Sequence, residues 1–464
     1  MTDTLLAGTS ILSFKVTVTG VSLTPSTGKP VSLTLNPTTP IIELTHLQSD
    51  SAFLGTSTVP SGNYSGATIS FSSPDIVLIN QTTVALTGGT AACPPISPGG
   101  AVTTCEFKPT TSGMITLTTA PFPLALTANQ QTGLSLDFNL NNAITMTNGA
   151  VSVDFTQANV LTASTLPHAG TPSGALDLIE DFTGIITTIS GNSVTVHSDT
   201  RGNITAVANS STTFDPTLCP AQNITCLAAN KTVSIDATLN LDGTMTLLEA
   251  DLLDNASVVA NKLDAIEGTV FSVNASAPQI SLVLSDKTVV SGNSILTAAT
   301  GGTIVQVTLG TSPIFSVDTK GLSAVIGSPA AINSFLGLSN VFAGQTVRMQ
   351  VLASPAPIAG LNSSVLVSTN SIVLRFSRVT GTIFAQPASP FFSLSTTPPS
   401  LPSFLGGING LPSLVVQISN QTNFDGVASF SGLNSGDTVS VRALYIASPN
   451  YPLSPFFAAK VRKD

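Results

Sequence analysis

Ser13-Phe14-Lys15-Val16-Thr17-Val18-Thr19-Gly20-Val21-Ser22-Leu23 sets Phe14, Val16 and Val18 on one side of an extended chain and Lys15, Thr17 and Thr19 on the other. Side chains of a strand point alternately to its two faces, so the pattern predicts a half-buried β-strand near the amino terminus. Pro25-Ser26-Thr27-Gly28 reads as a turn, after which Val31, Leu33 and Leu35 resume the period of two. The same period returns at Ile69 to Phe71, in Leu134-Leu136-Phe138-Leu140 and in Val151-Val153-Phe155. Short strands separated by turns predict a β-sandwich over residues 1–160.

Only 8% of the 464 residues are Asp, Glu, Lys or Arg, against about a quarter in an average domain. The solvated surface must then be Ser, Thr, Asn and Gln, which favour turns and strands over helices. A content of 42% apolar residues predicts a folded chain, and the length predicts several cores in series. The net charge of −9, with 15 Lys and Arg, argues against nucleic acid and anionic membrane surfaces as partners, because both require clustered positive charge. No apolar run is long enough for a transmembrane helix.

The four cysteines fall in two local pairs, Cys93 with Cys105 and Cys219 with Cys226, each within Pro-rich or Asn-rich loop sequence. Local disulfides are expected, since a metal site would want short CxxC spacing or His nearby, and His46, His168 and His197 lie elsewhere. Met1-Thr2-Asp3-Thr4 carries neither a basic stretch nor an apolar signal core. The expectation is a secreted or cell-surface protein whose export segment lies outside this sequence.

Residues 161–182 change character, from Leu166-Pro167-His168-Ala169-Gly170 to Ala175-Leu176-Asp177-Leu178-Ile179-Glu180-Asp181. They predict a Pro/Gly linker entering a short helical turn. Beyond it a pattern recurs three times. Gly184-Ile185-Ile186, Gly268-Thr269-Val270 and Gly381-Thr382-Ile383 open each unit. A polar turn with Phe214, Phe315 or Phe424 follows, and then Thr232-Val233, Thr346-Val347 or Thr438-Val439 begins an alternating strand. Gly344 and Gly436 stand two residues before that Thr in two of the units, as a turn requires. Five or six short strands per unit predict small barrels, which remove exposed edges. The modules are set at 183–262, 263–365 and 366–464, with Pro387 to Pro412 as a loop insertion.

The opening Ser13 to Leu23 together with Val59-Pro60-Ser61-Gly62-Asn63-Tyr64 resembles an uncharacterised domain of bacterial lipoproteins and exported envelope proteins. The Gly-Ile/Val starts, the Phe-bearing turns and Asp242-Gly243-Thr244 resemble a second uncharacterised module that commonly follows the first. The resemblance implies export, a sandwich related to immunoglobulin-like or transthyretin-like domains, and small barrels behind it. It implies no activity, and this chain lacks the usual lipoprotein cysteine and signal.

Catalysis needs convergent titratable groups, and the sequence offers no GxSxG elbow, HExxH pair or Walker loop. Carboxylates for glycoside hydrolysis would have to come from Asp177, Glu180 and Asp181 or from Glu249, Asp251 and Asp254, groups at predicted boundaries where solvation is the simpler reading. Asn240-Leu241-Asp242-Gly243-Thr244 has the oxygen content of a calcium turn but too few carboxylates, and a hairpin explains it equally. Ten Asn-x-Ser/Thr sequons, Asn63, Asn80, Asn203 and Asn223 among them, are candidate glycan acceptors. Phe391, Phe392, Phe404, Tyr451, Phe456 and Phe457 form an apolar group that either packs over a barrel end or serves as a partner surface. No catalytic, cofactor or metal residues are expected. The expected function is that of a non-catalytic envelope protein, structural or adhesive, assembling into a homo-oligomer, fibre or surface layer. The alternative is a module that binds an extracellular glycan or other ligand.

Overall fold

The computed structural model describes residues 9–48, 51–80, 82–91, 93–95, 104–109, 113–166, 175–215, 218–253, 263–319, 335–352, 355–358, 364–395, 413–446 and 455–463. The protein is all-β, with helices confined to single short turns among these residues.

The first unit is organised by β1 (Thr9–Pro25), joined on one flank by β2 (Val31–Ser32) and β3 (Ile41–Glu43) and on the other by β4 (Gly62–Asn80). β5 (Thr104–Phe107), β6 (Gly113–Leu117) and β7 (Leu124–Leu126) then pair with the far edge of β4, giving seven strands. Facing this sheet are two two-stranded sheets, β8 (Gly133–Phe138) with the later β11 (Leu161–Leu166), and between them in the chain the hairpin of β9 (Ile144–Thr147) and β10 (Ala150–Val153). The second layer among the described residues is therefore two separate strand pairs, and the sandwich is open. Phe14, Val16 and Val18 point into its core as the alternation predicts. Phe155 fills the centre, 5.1 Å from the ring of Phe71 and 6.1 Å from that of Phe14. Gly113 makes room for it, since a Cβ there would lie 2.5 Å from the Phe155 ring.

The opposite face of β1 differs from expectation. Lys15 is buried beside Asp75 at 3.1 Å, Ser13 is fully covered, and Leu12, Val77 and Ile79 enter a core that includes residues of the second and third repeats. A turn of the second repeat presses here at Gly302, whose φ of +81° and closeness to Ser13, Glu43 and Lys15 leave no space for a side chain.

Residues 161–166 and 175–182 are strands, where a linker and a helical turn were expected. β11 is laid onto β8, and Ala175 already starts a strand; residues 167–174 lie outside the described residues. The β-branched and apolar content of Ile179, Phe182 and Ile186, buried against a sheet, outweighs the local acidic helix signal.

The first barrel comprises β12 (Ala175–Ser190), β13 (Ser193–Ser198), β14 (Gly202–Phe214), β15 (Thr232–Asn240) and β16 (Met245–Leu252). The second has β17 (Ala265–Asn274), β18 (Gln279–Thr288), β19 (Ile304–Val317), β20 (Thr346–Gln350), the short appended β21 (Ala356–Pro357) and β22 (Ser364–Arg375). The third has β23 (Ser377–Thr382), β24 (Phe391–Ser395), β25 (Ser413–Gln417), β26 (Asn423–Asp425), β27 (Thr438–Tyr445) and β28 (Pro455–Lys463). All three share one wiring. Three strands meander, the third runs parallel to the last, and the remaining strand lies between the last and the first. That order belongs to the small five-stranded Greek-key barrel known as the OB fold. The third copy is the loosest, its first and second strands meeting through the single bridge Ile383 to Leu394.

The recurrent residues sit at equivalent points. Gly184 opposes Val233, Gly268 opposes Val347 and Gly381 opposes Val439. Phe214, Phe315 and Phe424 each pair in parallel with the last strand of their barrel, opposite Ala250, Ile372 and Val461. Glycine is required at the first point because the leading strand crosses close over the second: a Cβ on Gly184 or Gly268 would fall 2.2 Å from the carbonyl of His197 or Val283. The turn before the Thr-Val pair takes a left-handed residue every time, Gly344 and Gly436 in two barrels and Asn230, at φ +69°, in the other.

The cores are not separate beads. Leu444, Ile446 and Phe457 of the third barrel belong to the core of the second, and the first unit, second barrel and third barrel share another cluster. Gln345, fully buried, donates from Nε2 to the carbonyl of Tyr445 at 2.8 Å and fastens the second and third barrels together.

Candidate functional site

Where the first and third barrels meet, scarce charges converge. Glu180 and Asp181 occupy an irregularity in β12 between Ile179 and Phe182, with Asp181 at φ +45°. Asp236 lies opposite on β15 and Glu249 on β16. From the third barrel come Arg378 on β23, Arg442 on β27 and Lys460 on β28. Arg442 donates to Asp181 at 2.8 Å and to Asp236 at 2.9 Å, with Glu249 at 3.6 Å. Arg378 reaches Asp181 at 2.8 Å, and Lys460 reaches Glu180 at 2.7 Å. The Arg442 guanidinium also stands 5.0 Å over the ring of Phe376.

The electrostatics follow from burial. Desolvation works to raise the Glu180 carboxyl, but Lys460, Arg378 and Arg442 outweigh it and hold its pKa below the ordinary glutamate value. Burial opposes the charge on Arg442, and Asp181, Asp236, Glu249 and Glu180 overcome it and raise its pKa well above the ordinary arginine value. Glu180 and Arg442 are thus both held in their charged forms, and the junction fixes opposite charges against each other.

These positions are homologous. Counted three residues before the glycine anchor and three after the valine anchor, the first barrel places Asp181 and Asp236, the second Ala265 and Gln350, and the third Arg378 and Arg442. Two arginines directly opposite on β23 and β27 repel each other. The two aspartates of the first barrel supply what that pair lacks. The sequence reading weighed Glu180, Asp181 and Glu249 as catalytic carboxylates and overlooked Asp236, Arg378, Arg442 and Lys460. Superposing the three repeats on their own anchors would have revealed the opposed charges.

A second junction ties the first barrel to the second. The hydroxyls of Ser198 and Thr200 donate to Asp286 at 2.8 and 2.6 Å, Arg201 lies 3.5 Å from it, and Asp199 accepts from the amide of Val289 at 2.8 Å. Burial raises the Asp286 pKa despite Arg201. Lys287, also buried, donates to the carbonyls of Leu296, Thr297 and Ala299 at 2.5 to 2.7 Å, and desolvation lowers its pKa.

The other predicted sites resolve as follows. Both disulfides are formed, Cys93 with Cys105 and Cys219 with Cys226. Phe392, Phe456 and Phe457 are interior residues of the third barrel and its neighbour, so they are not a partner surface; Tyr445 stacks on Phe456 at 4.4 Å. Phe391 is half-buried on β24, while Phe404 and Tyr451 lie outside the described residues. Alternation along β24 and β28 turned inward what composition alone marked as an exposed patch. Asp242 accepts from the amide and hydroxyl of Thr244 within a hairpin turn, and no group of three His, Cys, Asp or Glu fit to hold a metal occurs among the described residues. His197 is exposed beside Asp199 and Asn203, and His168 and Asp254 lie outside the described residues, as does any account of the Asp177 and His46 side chains. Asn80 is fully buried and donates to the carbonyls of Val84 and Cys93, which removes it as a glycan acceptor.

Between the open sandwich and the first and third barrels lies a cavity of about 1560 Å³. The first unit lines it with aliphatic side chains, including Val21, Leu33, Leu35, Leu126, Leu134 and Leu136, each half-buried. The third barrel contributes Arg378, Arg442, Lys460, Arg462 and Lys463.

Residues 1–155 match the family described as domain of unknown function DUF4382, and residues 183–246 match domain of unknown function DUF5666. No curated protein matches the chain. A solved structure titled drosophila Unr CSD456 aligns with 61% of this chain and 95% of its own at 8% identity, with a TM-score of 0.12.

Proposed function

We propose that this is a non-catalytic, exported cell-envelope protein of structural or adhesive type, its two matched domains carried to the cell exterior. One observation carries the reading: the clusters of ionisable groups fasten one module to another. Asp181 and Asp236 are locked to Arg442 across 261 and 206 residues of sequence. Two disulfides support an oxidising compartment, where such bonds persist. No helix among the described residues is long and apolar enough to span a bilayer. Shared cores and buried ion pairs make the barrels one rigid block, a fitting unit for a surface layer or adhesive stalk. Light scattering coupled to size exclusion, with electron microscopy, tests this. Ordered multimers growing with protein concentration are expected, and monomers alone at every concentration reject self-assembly.

The cavity favours a second reading, that of a protein that binds an extracellular ligand. Its volume exceeds the usual range of small-molecule sites, about 300–1,000 Å³, and its walls come from three units held in fixed relation. Calorimetric titration against a panel of soluble oligosaccharides and lipids tests that reading as a whole.

A further inference from the structure

We infer that Lys15 and Asp75 condense to an isopeptide bond, with Glu43 as the group that carries the proton. Such a bond ties β1 to β4, the two long strands of the first unit, independently of the hydrogen-bond ladder between them. It goes beyond the structural reading, which stands or falls separately.

One irregularity in β4 brings the pair together. Phe71 and Ile76 both belong to the sandwich core, which an unbroken period of two forbids for residues five apart. Between the pairings of Thr17 with Ser72 and Lys15 with Asp75, β4 has one residue more than β1, with Ser73 at φ +52°. This bulge turns Asp75 to the face that Lys15 occupies. On the other flank of β1, Glu43 of β3 is the register partner of Lys15. The amine thus stands between two strands that each bear a carboxyl, in contact with Asp75 at 3.1 Å. Glu43 is held in place: the Phe14 amide donates to its Oε1 at 2.7 Å, and the Thr45 hydroxyl lies 2.7 Å from each of its oxygens. Its side chain and that of Lys15 meet at Gly302, where a Cβ would fall 2.9 Å from the Cγ of one and 3.1 Å from the Cγ of the other.

Burial supplies the driving force. The Lys15 and Asp75 side chains are 7% and 13% exposed, and Leu12 and Val77 of the same two strands enter the core shared with the second and third repeats. Taking an ammonium and a carboxylate out of water costs more than their attraction readily returns. Condensation removes both charges and leaves a neutral amide, and the cover keeps out the water that would reverse it. Strand register replaces a bimolecular encounter by an intramolecular one. In the step, a proton passes from the ammonium to the Asp75 carboxylate, and the Nζ lone pair attacks the carboxyl carbon. A second N–H proton moves by way of Glu43 to the departing hydroxyl as the C–O bond breaks. Ammonium and carboxylate become one amide and one water, and no oxidant, reductant or cofactor is consumed. Lys108 is another cation near Asp75, but it is engaged by Glu106 at 2.8 Å and is 44% exposed, which leaves Lys15 as the nucleophile.

Intact-mass spectrometry of the purified whole chain, unfolded and with both disulfides reduced, reads the bond directly. The wild type should be one water lighter than its sequence, and digestion should yield a branched peptide joining Lys15 to Asp75. Asp75→Ala should recover the full sequence mass. Glu43→Gln, shown to be folded by its melting curve, should accumulate the cross-linked species about a hundredfold more slowly, the usual worth of a positioned proton carrier. Glu43→Asp should bring part of that rate back. Cross-linking of Glu43→Gln at the wild-type rate rejects the part given to Glu43. A wild-type chain of full sequence mass, with linear peptides around Lys15 and Asp75, overturns the inference whether or not any variant folds, and leaves the envelope reading untouched.

Discussion

The first and third barrels carry opposite charges at the same two strand positions, and the second carries none. Asp181 and Asp236 face Arg378 and Arg442, whereas Ala265 and Gln350 occupy the homologous points between them in sequence. Identical wiring alone would let any barrel dock on any other. Charge at a repeated position removes that ambiguity, because a barrel placed against its like would bury two repelling pairs. The difference teaches that the repeats diverged where they touch while their closing anchors stayed alike.

Removing Arg442 should break the comparison most severely. Arg442→Ala takes from buried Asp236 the arginine that faces it and leaves Asp181 with Arg378 alone, and thermal unfolding should show a loss of about 3–5 kcal/mol. The junction also sets an acid limb. Glu180 has a folded pKa below its unfolded one, so its contribution is present above the ordinary glutamate pKa and is lost as pH falls through the lowered value. Melting temperatures across that range should fall in the wild type and fall less steeply in Lys460→Met. Asp286 has the opposite sign: its raised pKa makes the charged form unfavourable in the fold, and the penalty is relieved as pH falls through the folded value.

Shared anchors should respond alike. Gly184→Ala and Gly268→Ala each force a methyl against a carbonyl 2.2 Å away, and denaturant titration should give similar losses, about 1–3 kcal/mol or somewhat more. The first barrel alone has a disulfide among the three, closing seven residues. Replacing Cys219 and Cys226 by serine should cost about 2 kcal/mol, and reductant should reproduce that loss. Smallest of all is Gln350→Ala. It stands where Arg442 stands in the third barrel but is exposed, and calorimetry should register no more than about 0.5 kcal/mol. A loss comparable with that of Arg442→Ala would show that strand position, not charge, sets the junction.

Strand alternation made much of this architecture readable. Phe14, Val16 and Val18 turn inward as their spacing demands, and the glycine, phenylalanine and Thr-Val anchors mark equivalent pairs in all three barrels. What escaped depends on contacts between units. Lys15 reads as a solvated residue until a turn at Gly302 covers it. Ala175 to Asp181 looks helical until a barrel recruits it as strand. Glu180 and Asp181 look like a solvated boundary pair until Arg378, Arg442 and Lys460 arrive from about 200 to 280 residues away. The cavity was invisible for the same reason, since no single segment encloses it.

The inward placement of scarce cations has a consequence for resistance to proteolysis. A digestive protease of trypsin type needs an accessible Lys or Arg followed by a bond it can fit and cleave. Among the described residues Lys29 and Lys108 are the exposed cations, and each is followed by proline, Pro30 and Pro109. The proline ring removes the amide hydrogen and restricts the residue before it, making the scissile bond a poor substrate. The charges that bind the barrels together thus also leave the described part of the surface nearly blank to such enzymes.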